Sequence, residues 1–586
     1  MSDRVEDDKQ IGRLARKYAL LNAIQHNSRA DQNSVIGRIL SENSELRKEA
    51  KRVRTIVLEE TQRVNSLSRE DQSRAIKEEF PGFLEEDASR RREVSKQDAT
   101  KVPELPDLPN ASPGQVVTRF PPEPNGFMHI GHAKAAIIGS QYARRYEGKF
   151  ILRFDDTNPA AEKEEYYGAF LEALEWLEIK PDLIKNASDD MPRFYELAER
   201  MIARGKAFVC TCTQEKMREN RSLMLECACR SRSVEENKNL WQKMIKGGLG
   251  PNSTTLRFVG DMKSVNTTLR DPVLFRIVEE AHPMKGRQFN VWPTYDFDGP
   301  IEDSLDGVTH AMRSKEYELR DELYRAILNS LDLRVPQIIE FSRLSLRNTT
   351  VSKRNLRKLI ESGDVKGWDD PRLPTISGLR RRGILPQTIR EFILQMGVSK
   401  VESEPTWDML ESINRKFLDP VAKRFFFVPN PVPLIVRNAP SKEVRLKYHP
   451  DRPMGERIVA TSGQFLIPRD DASALKPESI FRLIEAYNVK VESVSPQEVI
   501  GTYVPDSSIV GVPKFQWVPR EGKVELKVLV PGALLIHDTF NPDSLTTIAG
   551  VSEPEVDRLR AGEIVQFVRV GFCRIDEKGI AILSHK

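Results

Sequence analysis

The sequence predicts an α/β protein in which a helical N-terminal region precedes a parallel-sheet core and an all-β C-terminal region. Three observations carry this reading. Leu46, Ala50, Val53 and Val57 recur at helical spacing, with charged residues elsewhere on the same stretch. From Gln115 to about Leu333, short β-branched or aromatic runs alternate with amphipathic helical stretches, the pattern of parallel strands joined by helices. Beyond Phe425, KVELKV (523–528) alternates charged and apolar residues, and KFQWV, RIVATS and EIVQFVRVGF lie at short spacing with turn residues between.

In chain order, residues 1–100 are expected to be a helical region. KVPELPDLPNASPG (101–114) is rich in proline and predicts an extended linker. The core should span 115–333. QVVTRF reads as its first strand, HAKAAIIGSQYARRYEG as a helix closed by Gly148, and KFILRFDD as the next strand. Residues 334–424 carry basic loops and helices and are expected to connect the core to the β region. Residues 425–586 are expected to form one β-barrel or a pair.

Composition narrows the class. The 586 residues suggest about three to five domains at roughly 100–200 residues each. Ninety Lys and Arg stand against 86 Asp and Glu, a formal charge of +4, with 39% hydrophobic and 30% charged residues. That balance belongs to a globular chain with ample sequence to bury several cores. The longest strongly apolar run, Val528 to Ile536, contains Pro531-Gly532 and falls far short of the roughly 20 residues a spanning helix needs. The acidic start MSDRVEDDKQ lacks an apolar signal core, and five cysteines do not make a disulfide framework. The expectation is a cytoplasmic protein with no membrane partner, read as a monomer. Basic clusters at 45–54, 352–358 and 377–383 are each, taken alone, more often solvated helix faces than phosphate tracks.

The chemistry begins where the first strand ends. RFPPEPNGFMHIGHAKAA (119–136) leaves the strand, crosses a Pro-rich turn and enters a helix. Ligands of parallel α/β sheets sit at the strands' C-terminal ends, where helix N-termini present free N–H groups and partial positive charge to phosphates. His129 and His132 are three apart and project from one face. Gly131 between them is expected to let a flat adenine or ribose approach the backbone. A lone HxxH is more often two surface histidines, but HIGH behind a Pro-rich βα turn reverses that preference. About 220 residues downstream, NTTVSKRNL (348–356) offers a Ser-Lys-Arg loop. There Lys353 is placed to stabilise charge on a phosphate in transit.

HIGH at 129–132 and VSKR at 351–354 resemble the two nucleotide motifs of class I aminoacyl-tRNA synthetases. The fuller strings RFPPEPNGFMHIGHAKAA, LRFDDTNP, YDF, GVTHAMRSKEY and GWDDPRLPT resemble the glutamyl/glutaminyl branch. The match covers about 115–586, and the N-terminal region is similar to that of archaeal-type glutamyl enzymes. Two departures are small: the second motif reads T-V-S-K-R rather than K-M-S-K-S, and Phe127 stands where many members carry Tyr.

The resemblance implies a Rossmann-like catalytic domain, an acceptor-binding insertion at about 205–290 and a β-barrel anticodon-binding domain. It implies ATP with Mg²⁺, glutamate and tRNA(Glu) as reactants, with tRNA(Gln) open as a second RNA. It also implies a requirement for bound tRNA before efficient activation. His129, His132 and Lys353 would be catalytic; Pro122, Asn125, Gly126, His129, Gly131, His132, Ser352 and Lys353 would bind ATP. Arg119, Asp155, Tyr295 and Arg313 would surround glutamate, with Asp155 accepting from the α-ammonium and both arginines facing the side chain. A γ-carboxylate suits the planar donor fork of arginine, whereas an amide would leave that charge unpaired. Glutaminyl members typically lack a basic residue at the position of Arg313, so glutamate is favoured. Asp156 and Asn158 are expected to bond local backbone in an Asx-type turn. The Trp368–Arg372 turn is expected to brace the lysine loop.

Cys210, Cys212, Cys227 and Cys229 form two close pairs separated by fourteen residues. Four thiols in a small insertion suggest structural zinc, against buried unliganded thiols as the plain alternative. Cys573 reads as core packing. Phe515, Trp517 and Phe567 are candidate RNA-stacking residues by type alone, and strand alternation makes core packing the commoner fate. Three rivals stand beside a glutamate ligase: a glutaminyl enzyme, a catalytically inactive tRNA-binding scaffold, and a small-molecule nucleotidylyltransferase, which would need no all-β tail.

Overall fold

The computed structural model describes residues 2–25, 29–42, 46, 49–84, 104–402, 404–505, 509 and 511–586. The chain divides into two compact units, Met1–Val102 and Pro103–Lys586.

Among its described residues the first unit holds four α-helices: α1 (Ser2–Gln25), α2 (Gln32–Glu42), α3 (Ala50–Asn65) and α4 (Arg69–Glu79). Ala15, Ala19 and Leu20 of α1 bury against Val53, Val57 and Val64 of α3 and Ile76 of α4. Arg16 makes a two-pronged ion pair with Glu79 at 2.6 and 2.7 Å, and the Ser68 hydroxyl caps α4 by accepting from Asp71 N. The stripe read from sequence starts one turn before the helix does. Leu46 precedes α3 and packs on the cluster only partly buried. Residues 85–100 of the expected helical region, and 101–103 of the expected linker, lie outside the described residues.

In the second unit, residues 104–114 form neither helix nor strand, yet they are not a free linker. Leu105 and Leu108 are buried. Tyr142 Oη donates to the Pro106 carbonyl at 2.9 Å, and Leu108 N donates to Tyr146 Oη at 3.1 Å. The segment is a strap fixed to the sheet domain.

That sheet is parallel. β1 (Val117–Phe120) pairs with β2 (Lys149–Phe154), and β2 with β3 (Leu183–Asn186). An insertion then contributes β4 (Ala207–Cys210), β5 (Thr255–Phe258), β6 (Val273–Ile277) and β7 (Val291–Pro293), an antiparallel sheet in chain order. The parallel layer resumes with β8 (His310–Ser314) and β9 (Gln337–Phe341). Thr309 ties β8 to β1: its N–H donates to Val117 O, and its hydroxyl accepts from Val117 N. β9 lies beyond Leu333, so the sheet runs into the segment expected as a connection. The helix Ile130–Arg145 ends through Glu147, whose φ is 51°. Gly148, expected to close it, instead permits a close approach, since a Cβ there would lie 1.9 Å from Val116 O.

Among its described residues the C-terminal region forms two seven-stranded sheets and two two-stranded ribbons, at 442–461 and 535–540. The chain starts in one at Arg424–Pro429, crosses to the other for residues 431–519, and returns with Val524–His585. Alternate residues point inward, as Leu526 and Val528 do in Val524–Pro531. Phe515, Trp517 and Phe567 are all buried in these cores, which leaves none of them free to stack on RNA. Cys573 is likewise buried, and burial pushes its thiol well up.

The junction between sheet domain and β region is polar and specific. Arg381 bonds both carboxylate oxygens of Asp576, Arg372 reaches Ser544 Oγ at 3.0 Å, and Arg382 donates to the Ser584 carbonyl. Arg380 pairs with Glu172 and Arg382 with Glu411. The basic cluster 377–383 is therefore committed to internal ion pairs. Among the described residues no helix is long and apolar enough to cross a membrane.

Candidate active site

A cavity of about 490 Å³ opens where β1, β2 and β8 end and the helix Ile130–Arg145 begins. His129 is that helix's N-cap. Its Nδ1 accepts from Gly131 N at 3.1 Å and His132 N at 3.4 Å, while His132 Nδ1 accepts from His129 N at 3.4 Å. The two rings stack with centroids 3.7 Å apart. With both Nδ1 atoms used as acceptors, each imidazole carries its proton on Nε2 and is a neutral donor. Burial, then the Lys353 charge, lowers His129 to about 3; burial and its neighbours lower His132 as well. Gly131, which lines the cavity, leaves room for this arrangement. A Cβ there would stand 3.0 Å from His129 Cε1 and 3.2 Å from Leu344 O.

The second motif folds onto the first. Lys353 opens the helix Lys353–Glu361, and its ammonium donates to Asn125 Oδ1. Its stem passes Gly126, where a Cβ would meet Lys353 Cδ at 3.3 Å. Burial lowers Lys353 to about 8. Ser352 is the helix's N-cap residue but makes no side-chain cap bond, and it does not line the cavity.

Two contacts brace this arrangement. Residues 128–130 pair with 374–376, through Ile130 N to Pro374 O at 2.9 Å and Ile376 N to Met128 O at 2.8 Å. On the other side, Leu356 and Leu373 bury against Leu534 of the β region. Within the intervening turn, Asp370 accepts from Arg372 Nε and Nη2 and from its backbone N–H, while Trp368 stacks on Phe127.

The side of the cavity around Arg119, Asp155 and Arg313 is a buried charge network. Asp155 Oδ1 accepts from Arg153 Nε at 2.7 Å, and Asp155 Oδ2 is buried with no partner among the described residues. Burial raises the Asp155 carboxyl against the pull of Arg153. Arg119 is bidentate to Asp303 at 2.9 and 3.0 Å, and its Nη1 donates to Met312 O at 2.5 Å. Asp303 also accepts from Arg153 Nη1 and Tyr324 Oη. Although burial opposes it, the attraction of Arg119 and Arg153 holds Asp303 at about 2. Arg313 is freer. Its Nη1 meets Asp321 at 3.0 Å, its Nη2 lies 3.5 Å from Tyr295 Oη, and its Nε has no partner. Tyr317 and Tyr324 flank its plane, with centroids 5.3 and 5.1 Å away.

Of the residues singled out from sequence, the cavity gathers Arg119, Pro122, His129, Gly131, His132, Asp155, Tyr295, Arg313 and Lys353. Asn125 and Gly126 reach it through Lys353. The Asx-turn expectation for 156 and 158 needs correction. Asp156 bonds Ser188 N, Ser188 Oγ and Tyr167 Oη, and Asn158 Nδ2 donates to the Glu123 carboxylate. Both tie distant segments together; Asp156 is fully buried, so protein groups must serve it in place of water. Sequence reasoning missed Asp303, Arg276 and Arg153, although the last lies inside the quoted LRFDDTNP string.

The insertion holds the four cysteines together. Their Sγ atoms all lie within 4.8 Å of one another, with Cys210–Cys227 and Cys212–Cys229 both at 3.9 Å. A tetrahedron with metal–sulfur bonds of about 2.3 Å has edges of about 3.8 Å, so the thiols already stand at zinc-binding separation. Thr211 N donates to Cys229 Sγ at 3.5 Å, and Arg257 Nη1 lies 3.6 and 3.7 Å from Cys210 and Cys227 Sγ. Such donors suit thiolates.

Residues 115–420 match the catalytic domain of the class I tRNA synthetases described as E and Q. Residues 422–504 and 514–576 match two anticodon-binding domains of the same description. Similar full-length proteins include the glutamate–tRNA ligases of Nitrosopumilus maritimus, 43% identical over 99% of this chain and 100% of that protein, and Cenarchaeum symbiosum, 42% identical over 97% and 99%. That of Pyrococcus furiosus is 40% identical over 98% of this chain and 100% of its own length.

Proposed function

We propose the chemistry of this cavity from one premise: the chain belongs to the class I tRNA synthetases of the E and Q type. Its activity is the ligation of glutamate to tRNA, the activity its near-full-length relatives are named for. The residue roles below are our reading of the geometry.

Glutamate lies with its α-ammonium on the unpartnered Asp155 Oδ2 and its γ-carboxylate toward Arg313 and Tyr295. Arg119 is held by Asp303, so it shapes the pocket and lends its remaining N–H groups, while the less compensated charge of Arg313 selects carboxylate over amide. The α-carboxylate oxygen attacks the α-phosphorus of ATP, the Pα–O–Pβ bond breaks, and pyrophosphate leaves. His129 and His132 donate from Nε2 to phosphate oxygens as neutral groups. Lys353 supplies the full charge that follows the leaving pyrophosphate. A terminal ribose hydroxyl of tRNA then attacks the adenylate's carbonyl carbon and AMP departs. Magnesium arriving with ATP would neutralise part of the triphosphate charge beside Lys353. No covalent enzyme intermediate is required, so positioning supplies most of the acceleration.

Cys210, Cys212, Cys227 and Cys229 would hold a structural zinc ion, whose four filled positions leave none for catalysis. The chain is read as a cytoplasmic monomer acting on tRNA(Glu), with tRNA(Gln) as the second RNA to test. The observation that carries the reading is the convergence of Asp155, Tyr295 and Arg313 with His129, His132 and Lys353 on one cavity. Parallel charging of purified tRNA(Glu) and tRNA(Gln) with labelled glutamate and glutamine tests it. Glutamate transfer is expected; glutamine transfer would overturn the role given to Arg313, and no transfer would favour a scaffold.

A further inference from the structure

Four arginines line the cavity, and three have carboxylate partners. Arg119 pairs with Asp303, Arg313 with Asp321 and Arg343 with Glu316. Arg276, on β6 of the insertion, has no ion-pair partner among the described residues. Its guanidinium is fixed by neutral acceptors only: Pro293 O at 2.5 Å, Thr157 O at 3.2 Å and Asn158 Oδ1 at 3.2 Å. Carbonyls orient a guanidinium without cancelling its charge, and removing that charge from water without a counter-charge is costly. Burial lowers its pKa, against the longer-range attraction of Asp298, Glu162 and Glu123. Like Lys353, which meets only the neutral Asn125, Arg276 is an oriented cation held against the reaction cavity with no carboxylate in direct contact among the described residues.

The reaction brings three kinds of anion to that cavity. The triphosphate has His129, His132 and Lys353, on the helix starts of the two motifs. The glutamate side chain has Arg313 and Tyr295. The third anion is the RNA backbone, and its terminal ribose must reach the carbonyl of an amino acid held by Asp155. Arg276 is fastened to Thr157 and Asn158, two and three residues after Asp155, and comes from the insertion rather than from the nucleotide loops.

We propose that Arg276 binds the phosphodiester joining the last two nucleotides of tRNA and thereby seats the terminal ribose for acyl transfer. This rests on the reading that the chain charges tRNA with glutamate. By joining the insertion to the turn after Asp155, the same guanidinium aligns RNA and amino acid on one rigid part.

The test is equilibrium binding of the full chain to tRNA(Glu) carrying either a natural or a neutral methylphosphonate linkage at that last position. Wild type should lose about tenfold in affinity on neutralisation, the size of a charge-assisted contact. Arg276→Gln should bind natural tRNA about tenfold more weakly and lose nothing further, with KM for glutamate changed less than about twofold. Arg276→Lys should keep most of the sensitivity, and it decides the matter with wild type if the Gln variant fails to fold. An indifferent wild type, or equal losses in wild type and Arg276→Gln, overturns the proposal. So does a tenfold rise in KM for glutamate without coupling to the linkage, which would assign Arg276 to the amino acid. Failure of wild type to charge natural tRNA with glutamate would instead defeat the parent reading.

Discussion

The Lys353 ammonium donates to Asn125 Oδ1 across 228 positions of sequence, and this contact closes the second nucleotide motif onto the first. It is a neutral contact, so it positions the lysine without using up its charge. Glu123 supports the charged form, yet burial dominates and leaves Lys353 at about 8. The side chain is thus held over the cavity in a state that an arriving polyphosphate would strengthen.

The first prediction follows from that value. A lysine at about 8 is cationic below that pH and loses its charge as pH rises through it. The kcat/KM for ATP, which reports the free enzyme, should fall on an alkaline limb near pH 8. Lys353→Arg should abolish the limb because arginine stays charged, and Lys353→Ala should lower activation by about 10²–10³, as removal of a single transition-state donor does. His129 lies at about 3, so no acidic limb near 6.5 is expected. A histidine limb there would contradict the neutral-donor role.

The second concerns Asp303, which accepts from Arg119, Arg153 and Tyr324. Asp303→Ala leaves two buried guanidinium groups short of a counter-charge and should cost about 3–5 kcal/mol in urea unfolding. The carboxylate is depressed to about 2 from an unfolded value near 3.9. Its contribution should therefore be complete above pH about 4 and be lost as pH falls through 2. In Asp303→Asn the acid-side loss of stability should be shallower than in wild type.

The third places specificity on Arg313. Arg313→Cys removes the charge least compensated on the amino-acid side, so kcat/KM for glutamate should fall about 10²–10³-fold, within the range for a lost charged hydrogen bond and its desolvated partner. Glutamine should be affected far less. Side-by-side charging measures the ratio, and an unchanged ratio would remove Arg313 from the selectivity determinants.

Much of this arrangement was legible because its parts are local. HIGH at a βα junction, the strand texture of 115–154 and the alternation of 523–528 each depend on neighbours within a few residues. What escaped depends on burial between segments far apart. Asp303 matters only because Arg119 is 184 positions away in sequence and adjacent in space. Gly131 lines the cavity, but its lack of a side chain also makes room for its neighbour's imidazole, which its sequence position does not show. Leu105 and Leu108 lie in a proline-rich stretch whose composition signals a linker, yet the Pro106 carbonyl finds Tyr142 and the leucines find the sheet domain. Ion-pair partners and packing surfaces leave no periodic signature.

The last prediction concerns the cysteine cluster. Cys210 ends β4, Cys212 follows it, and Cys227 and Cys229 cap and enter a short 3-10 helix (Ala228–Ser231); around them Phe208, Met217 and Val259 add only a small apolar cluster. So few apolar contacts hold about 1.5–3 kcal/mol per fully buried side chain, far less than the roughly 10–16 kcal/mol a structural zinc ion supplies. Purified protein should contain one zinc per chain by elemental analysis. Strong chelators should lower thermal stability and expose the insertion to protease ahead of the parallel sheet. Cys227→Ser should lose the metal and show the same early cleavage, with glutamate binding at the separate cavity reduced less than tRNA binding. Metal-free wild-type protein with unchanged melting and proteolysis would leave the four thiols as buried packing alone.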